Sequence, residues 1–232
     1  MAHTHYRTKG VVLGGENRGE ADQLFTVFTE DFGKIEVLGR AIRKMKSKLR
    51  ASIDLFYYSE IEFICGKSYK ILTDAILIEK FSTSPETFEA LSQFTRAALV
   101  LIPKEHKDDK IWQLLLQSGL TRGPTSGYLS LFWRLCDILG YKPELYNCAC
   151  CHAKLLPEKL FFSPEHGGVI CKQCKIQDEY CQEILIDTIK VLRLFLEEPF
   201  VDVGKIKTSP AVLNNLRQIS KLYLQHLTEN HA

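Results

Sequence analysis

Long apolar runs are missing from this sequence. The longest is Ala97–Ile102, far short of the roughly 18 residues that a membrane-spanning helix requires. The opening residues, from Met1 to Arg7, carry no apolar leader, so the expected compartment is the cytoplasm. A large charge of one sign is missing too. In 232 residues, 30 Lys and Arg stand against 28 Asp and Glu, a net of +2. That balance excludes a chain that coats a polyanion over its whole surface. No internal repeat and no low-complexity tract is present, which excludes solenoids and long linkers. With 45% hydrophobic and 25% charged residues, what is there is an ordinary globular composition. The length suffices for one large core or two small ones.

The motifs of common enzymes are also absent. There is no HExxH, no GxSxG and no Cys–His nucleophile pair, and no two carboxylates are paired by spacing as acid and base. Gly66-Lys67-Ser68 ends like a phosphate-binding loop, but Ile61 stands where that motif needs its first glycine. The run Gly14–Gly19 is glycine-rich, yet it lies between predicted strands and reads as a loop. No covalent chemistry is expected.

The first 80 residues read as strands. Short segments rich in Val, Ile, Phe, Tyr and Thr alternate with turn signals. Strands are expected near Thr8–Leu13, Leu24–Thr29, Lys34–Gly39, Leu55–Ile64 and Lys70–Ile78. Asp31–Lys34 and Cys65–Ser68 are the expected hairpin turns. Five short strands of this kind fit a small OB-type barrel, which leaves no unpaired edges.

From Ser84 the period becomes helical. Ser84-Pro85 is a helix start, with Phe88, Leu91, Ala98 and Ile102 on one face. A shorter helix carries Ile111, Leu114 and Leu115 and ends near Gly119. Another runs from about Thr125 to Leu139, with Leu129, Phe132, Trp133 and Cys136 inward and Gly140 as its stop. Two helices close the chain, over about Cys181–Glu198 and about Ser209–Glu229. The expected fold class is α+β: a five-stranded barrel over 1–80, then a helical domain (81–145 and 177–232) interrupted by a module at 146–176.

That module holds Cys148-x2-Cys151 and, 19 residues later, Cys171-x2-Cys174. Two CxxC knuckles at this separation can close a tetrahedron of thiolates around one Zn²⁺. Four protein ligands leave no place for water, so the expected zinc is structural. Cys150 is a third sulfur in the first knuckle, but only Cys148 with Cys151 has the knuckle spacing. His152 and His166 are secondary ligand candidates. Cys65, Cys136 and Cys181 are expected in the core.

The basic residues are not evenly spread. Arg40, Arg43, Lys44, Lys46, Lys48 and Arg50 follow one another with no acidic residue between. A cationic loop between barrel strands suits a phosphate backbone, and a solvated mobile loop would look the same. In the next strand, alternation puts Leu55, Tyr57, Ile61 and Phe63 on the core face. Phe56 and Tyr58 fall on the other face, to pack on the helical domain or to stack on bases.

Several short motifs, in this order, resemble the RecO family of bacterial recombination mediators. They are Gly19-Glu20-Ala21-Asp22, then Phe28-Thr29-Glu30 with Gly33-Lys34, and Gly39-Arg40-Ala41-Ile42-Arg43. Gly140-Tyr141-Lys142-Pro143-Glu144-Leu145 precedes Cys148, and Phe162–Val169 precedes Cys171. The resemblance covers nearly the whole chain. It implies an N-terminal OB-fold and a helical domain with an embedded zinc module. It also implies binding of single- and double-stranded DNA, strand annealing and contact with the C-terminal tail of single-strand-binding protein. With RecR, such proteins assist loading of RecA, in the bacterial cytoplasm at the nucleoid. DNA contact carries over to Arg40, Arg43, Lys44, Lys46, Lys48 and Arg50, with Lys34 as a further candidate. A competing reading of the same residues is a zinc-ribbon protein-interaction or transcription adaptor whose barrel docks protein.

Overall fold

The computed structural model describes residues 4–81, 85–120, 125–197 and 206–230. The chain divides into two compact units. One comprises Met1–Thr83 and Ile102–Arg122, the other Ser84–Leu101 and Gly123–Ala232.

The first unit is built on β1 (His5–Arg18), β2 (Asp22–Thr29), β3 (Gly33–Gly39), β4 (Tyr57–Cys65) and β5 (Lys70–Lys80). They close into a barrel in the order β1-β2-β3-β5-β4. Only β3 and β5 pair in parallel. Period-two alternation sends Val12, Phe25, Val27, Ile35, Val37, Ile61 and Phe63 inward as the core. This is the OB-like barrel expected from the strand pattern.

Three details differ from the sequence reading. Gly14–Arg18 is strand, not loop, and pairs with Asp22–Thr26 of β2 across a register shift between Val12 and Gly14. Strand pairing overrides the poor β-propensity of glycine because Gly15 lies against β2. A Cβ there would sit 2.9 Å from the Gln23 amide and 3.3 Å from the Phe25 ring. Leu55 and Phe56 precede β4 rather than opening it. Phe56 has φ 62° and is buried, while Leu55 is exposed. Tyr58 turns its ring toward Phe81 and toward Trp112, at 6.5 and 6.0 Å between centroids. That aromatic contact lies within the barrel unit, because α1 (Pro85–Leu101) is followed by α2 (Asp109–Leu120), and α2 belongs with the barrel.

The second unit packs α1 with α3 (Thr125–Ile138), α4 (Ile186–Glu197) and α5 (Pro210–Glu229). Leu129, Phe132, Trp133 and Cys136 of α3 are buried as expected, as are Val212, Leu216, Ile219, Tyr223 and Leu227 of α5. Ser209 caps α5, its side chain accepting from the Val212 N–H. Phe88 departs from its inward assignment and is exposed. Ser84 and Glu198, expected at helix ends, lie outside the described residues.

Between α3 and α4 a small sheet has the order β7-β6-β8, from β6 (Leu160–Ser163), β7 (Gly168–Ile170) and β8 (Gln182–Ile184). Here the expected helix start at Cys181 is replaced by a strand. Leu160–Phe162 offers an edge, and Gln182–Ile184 pairs along it. The helix begins only after Leu185, whose N–H donates to the Asn215 side chain at 3.0 Å. Phe162 of β6 meets Trp133 edge-on at 5.8 Å and Tyr223 at 5.4 Å, and Trp133 stacks on Tyr223 at 5.5 Å. The Trp133 indole N–H donates to Ser220 Oγ at 2.9 Å, so its one polar atom is satisfied in the core. Among the described residues, no helix is long and apolar enough to cross a membrane.

Candidate nucleic-acid interface and metal centre

The basic run lies between β3 and β4, and it is anchored at both ends. Ile42 and Ile53 are buried in the barrel core at 1% and 2% exposure, and Leu49 packs partly against it. The Ala41 N–H donates to Asp22 Oδ1 at 2.7 Å, and the Arg43 N–H to the Ala21 carbonyl at 3.0 Å. At the far end a short 3-10 turn, Leu49–Ala51, presents Arg50. Ser59 Oγ then donates to the Ser52 carbonyl at 2.6 Å and ties the loop to β4. The tip, at Met45, is 95% exposed. This is a strapped loop, with its ordering cost already met in the free protein.

Arg40, Arg43, Lys44, Lys46, Lys48 and Arg50 are all exposed. Among the described residues no carboxylate lies within ion-pair distance of any of them. Some other cations of the barrel unit are paired: Arg7 with Glu60 and Glu62 at 3.0 Å, and Lys104 with Glu36 at 3.0 Å. The loop therefore gathers six exposed cations into one short stretch of chain. Lys34 is not part of it. Its side chain is 6% exposed, and burial followed by repulsion from Lys104 pushes its ammonium below the ordinary value.

The four cysteines come together. The sulfurs of Cys148, Cys151, Cys171 and Cys174 all lie within 4.8 Å of one another. A tetrahedral site with Zn–S bonds of about 2.3 Å has S···S edges of about 3.8 Å, so the set fits one ion with little movement. Cys150 stands outside this set and packs beside the small cluster of Cys148, Phe161 and Ile170. Cys136 is buried as expected, Cys181 is half-buried, and Cys65 is exposed at the end of β4.

Local backbone builds the knuckles. α3 stops at Gly140, with φ 87°. Glu144 Oε1 then accepts from the N–H groups of Tyr146 and Asn147 at 2.7 and 2.9 Å, which holds the turn leading into Cys148. Burial acts to raise the Cys148 thiol, but the backbone N–H groups of Cys151, Cys171 and Cys150 outweigh it. They draw it down to about 6, a thiolate ready for a metal. Burial and the neighbouring sulfurs push Cys174 the opposite way. Four thiols crowded together without a cation resist full ionisation. His166 is occupied elsewhere, with Nδ1 3.0 Å from Ser163 Oγ.

Two family models match the chain. One, for the N-terminal part of recombination protein O, covers residues 1–81. The other, for its C-terminal part, covers residues 99–232. The chain belongs to the RecO family. Several RecO relatives align over most of their length. The "DNA repair protein RecO" of Thermodesulfovibrio yellowstonii is 32% identical over 228 residues, covering 92% of this chain and 90% of that one. The protein of the same name from Dehalococcoides mccartyi is 30% identical over 232 residues, covering 97% and 91%. The one from Halalkalibacterium halodurans is 27% identical over 233 residues, covering 97% and 91%. These are DNA repair and recombination proteins.

Two features of this RecO barrel are not apparent from the sequence pattern. Gln23 and Asp54 join Arg43 and Arg50 around a cavity of about 300 Å³ beside the basic loop. Asp54 lies just past the basic run with the opposite charge, and Gln23 is remote in sequence from it, so spacing gives no sign of Gln23. The anchors Ile42 and Ile53 do leave one: apolar residues inside a basic run mark a loop that returns to a core.

Proposed function

We propose that this protein is a non-enzymatic recombination mediator whose barrel binds single-stranded DNA and anneals complementary strands. In company with RecR and single-strand-binding protein, it assists loading of RecA. The observation that carries the reading is the strapped loop of six exposed cations, none of them ion-paired among the described residues, on an OB-like barrel in a RecO chain. Two complementary strands repel each other as polyanions. A fixed cluster of guanidinium and ammonium groups displaces counterions from one strand and lowers the cost of approach of the second. Only non-covalent contacts are required.

Arg40, Arg43, Lys44, Lys46, Lys48 and Arg50 are the proposed phosphate contacts, and Lys34 is left out because its side chain is buried. Cys148, Cys151, Cys171 and Cys174 are the proposed ligands of one structural Zn²⁺. That ion would cross-link the two knuckles of a segment too short to fold by burial alone. Contacts with RecR and with the acidic tail of single-strand-binding protein are part of the same reading.

Substitution of Arg43, Lys44 and Lys46 by Ala tests it. Binding to a single strand should weaken. The slope of log affinity against log salt should fall by roughly 0.7 for each phosphate that is no longer neutralised. An unchanged affinity and slope would remove the loop from the interface.

A further inference from the structure

We infer that the cavity beside the basic loop is a subsite for one unstacked base of the bound single strand, with a preference for guanine. This rests on the reading of the barrel as a single-strand binder and goes further, because it assigns base readout to a surface otherwise defined by charge.

The cavity, of about 300 Å³, lies at the lower end of the range for small-ligand pockets. It is too large for a phosphate alone, and its wall includes the carboxylate of Asp54, which would repel one. The other polar groups of the wall are the guanidiniums of Arg43 and Arg50 and the amide of Gln23, set around the buried side chains of Phe25, Ile42 and Ile53. Gly15 keeps this corner open, since a Cβ there would press on both Gln23 and Phe25.

Two of the polar groups are held in place. Arg43 Nη1 donates to the Gly19 and Glu20 carbonyls at 3.4 and 3.3 Å. Asp54 Oδ1 accepts the Leu55 N–H at 2.8 Å, which orients the carboxylate and leaves Oδ2 for a ligand. Guanidinium donors and a carboxylate acceptor lining one cavity match guanine best. Guanine shows two acceptors, N7 and O6, on one edge and two donors, N1–H and N2–H, on the next. Thymine lacks the adjacent donor pair, and adenine lacks O6. The basic loop continues away from the cavity through Lys44, Lys46 and Lys48, so the strand phosphates on either side of the base have cations to meet.

Fluorescence anisotropy with 15-nucleotide thymine strands carrying one central guanine, inosine or adenine tests this. The guanine strand should bind about fivefold or more tightly than the adenine strand, the lower end expected of one bidentate pair. Inosine lacks the N2 amine and should lose most of that gain. Asp54→Asn should abolish the guanine-over-inosine ratio while keeping the salt slope of the all-thymine strand. Lys46→Ala should weaken all strands alike and leave the ratio intact. Equal affinity for the three strands with a normal salt slope overturns the base pocket and leaves the loop reading standing. A guanine-over-inosine preference that persists in Asp54→Asn also overturns it. Absence of salt-dependent binding to any strand would instead defeat the proposed function itself.

Discussion

On the outer face of β4, Glu62 shares a 2.9 Å hydrogen bond with His5 Nδ1 and accepts from Arg7 at 3.0 Å and Thr73 at 2.9 Å. These bonds, the one to His5 first, hold its carboxyl at about 2, against 4.5 for an unperturbed group. A depressed folded-state value means the carboxylate form is favoured by folding. Its contribution is therefore complete above about pH 4.5 and is lost as the pH falls toward 2. Replacing Glu62 by Gln should lower the urea midpoint modestly at pH 7, and the gap to wild type should close through that window. A gap that stays constant from pH 7 to pH 2.5 would show that the carboxylate charge is not what the contacts favour. Gly168 is a residue-scale case of packing. A Cβ there would lie 2.5 Å from the Glu144 carbonyl oxygen and 2.7 Å from its nitrogen. Gly168→Ala should cost about 1–3 kcal/mol, read by chemical denaturation. Both residues belong to the loop-and-hairpin wall that positions Cys148 and Cys171.

Elements are legible where local pattern and tertiary pairing agree. All five barrel strands are visible as short segments rich in Val, Ile, Phe, Tyr and Thr set between turn signals, though the first runs on past its glycines to Arg18. The CxxC pairs are visible because their two-residue spacing is itself a local pattern. β8 is not, because Gln182–Ile184 is extended only through pairing with Leu160–Phe162, a partner some 20 residues upstream that no local window contains. Gly14–Arg18 reads as a loop for a different reason, the poor β-propensity of its glycines, which pairing with the adjacent β2 overrides. The site follows the same division: the six loop cations lie together in sequence with Asp54 just past them, whereas Gln23 comes beside them only through the pairing of β2 with β3, opposite Gly39. Lys34 carries the right charge, but its position at the start of β3 buries it. Packing makes a further prediction at this scale. Trp133 of α3 sits at 0% exposure among Phe132, Phe162 and Tyr223. Trp133→Ala should cost about 3–5 kcal/mol, measured by thermal or denaturant unfolding. Phe162 ties the cysteine module to that aromatic cluster, so disruption should also raise the lability of the metal site.

For the whole molecule, the charge sum acquires a geography. The six cations between Arg40 and Arg50 are set against a remainder of 24 basic and 28 acidic residues, a net of −4. A locally basic, mildly acidic protein can grip one stretch of strand without wrapping it, which suits a mediator that must also release it. Metal is expected to matter for stability rather than for chemistry. Protein purified under reducing conditions should carry one Zn²⁺ per chain, and chelation should lower the melting temperature. Protein with no zinc and unchanged melting would exclude the proposed ligand set. The central claim is that the strapped loop brings two strands together, and annealing of complementary oligonucleotides, followed by fluorescence, tests it most directly. The intact protein should accelerate annealing, and Arg43, Lys44 and Lys46 replaced together by Ala should lose most of that acceleration with the fold unchanged. An intact protein that leaves the annealing rate at its spontaneous value, or a triple variant as fast as wild type, would contradict the account.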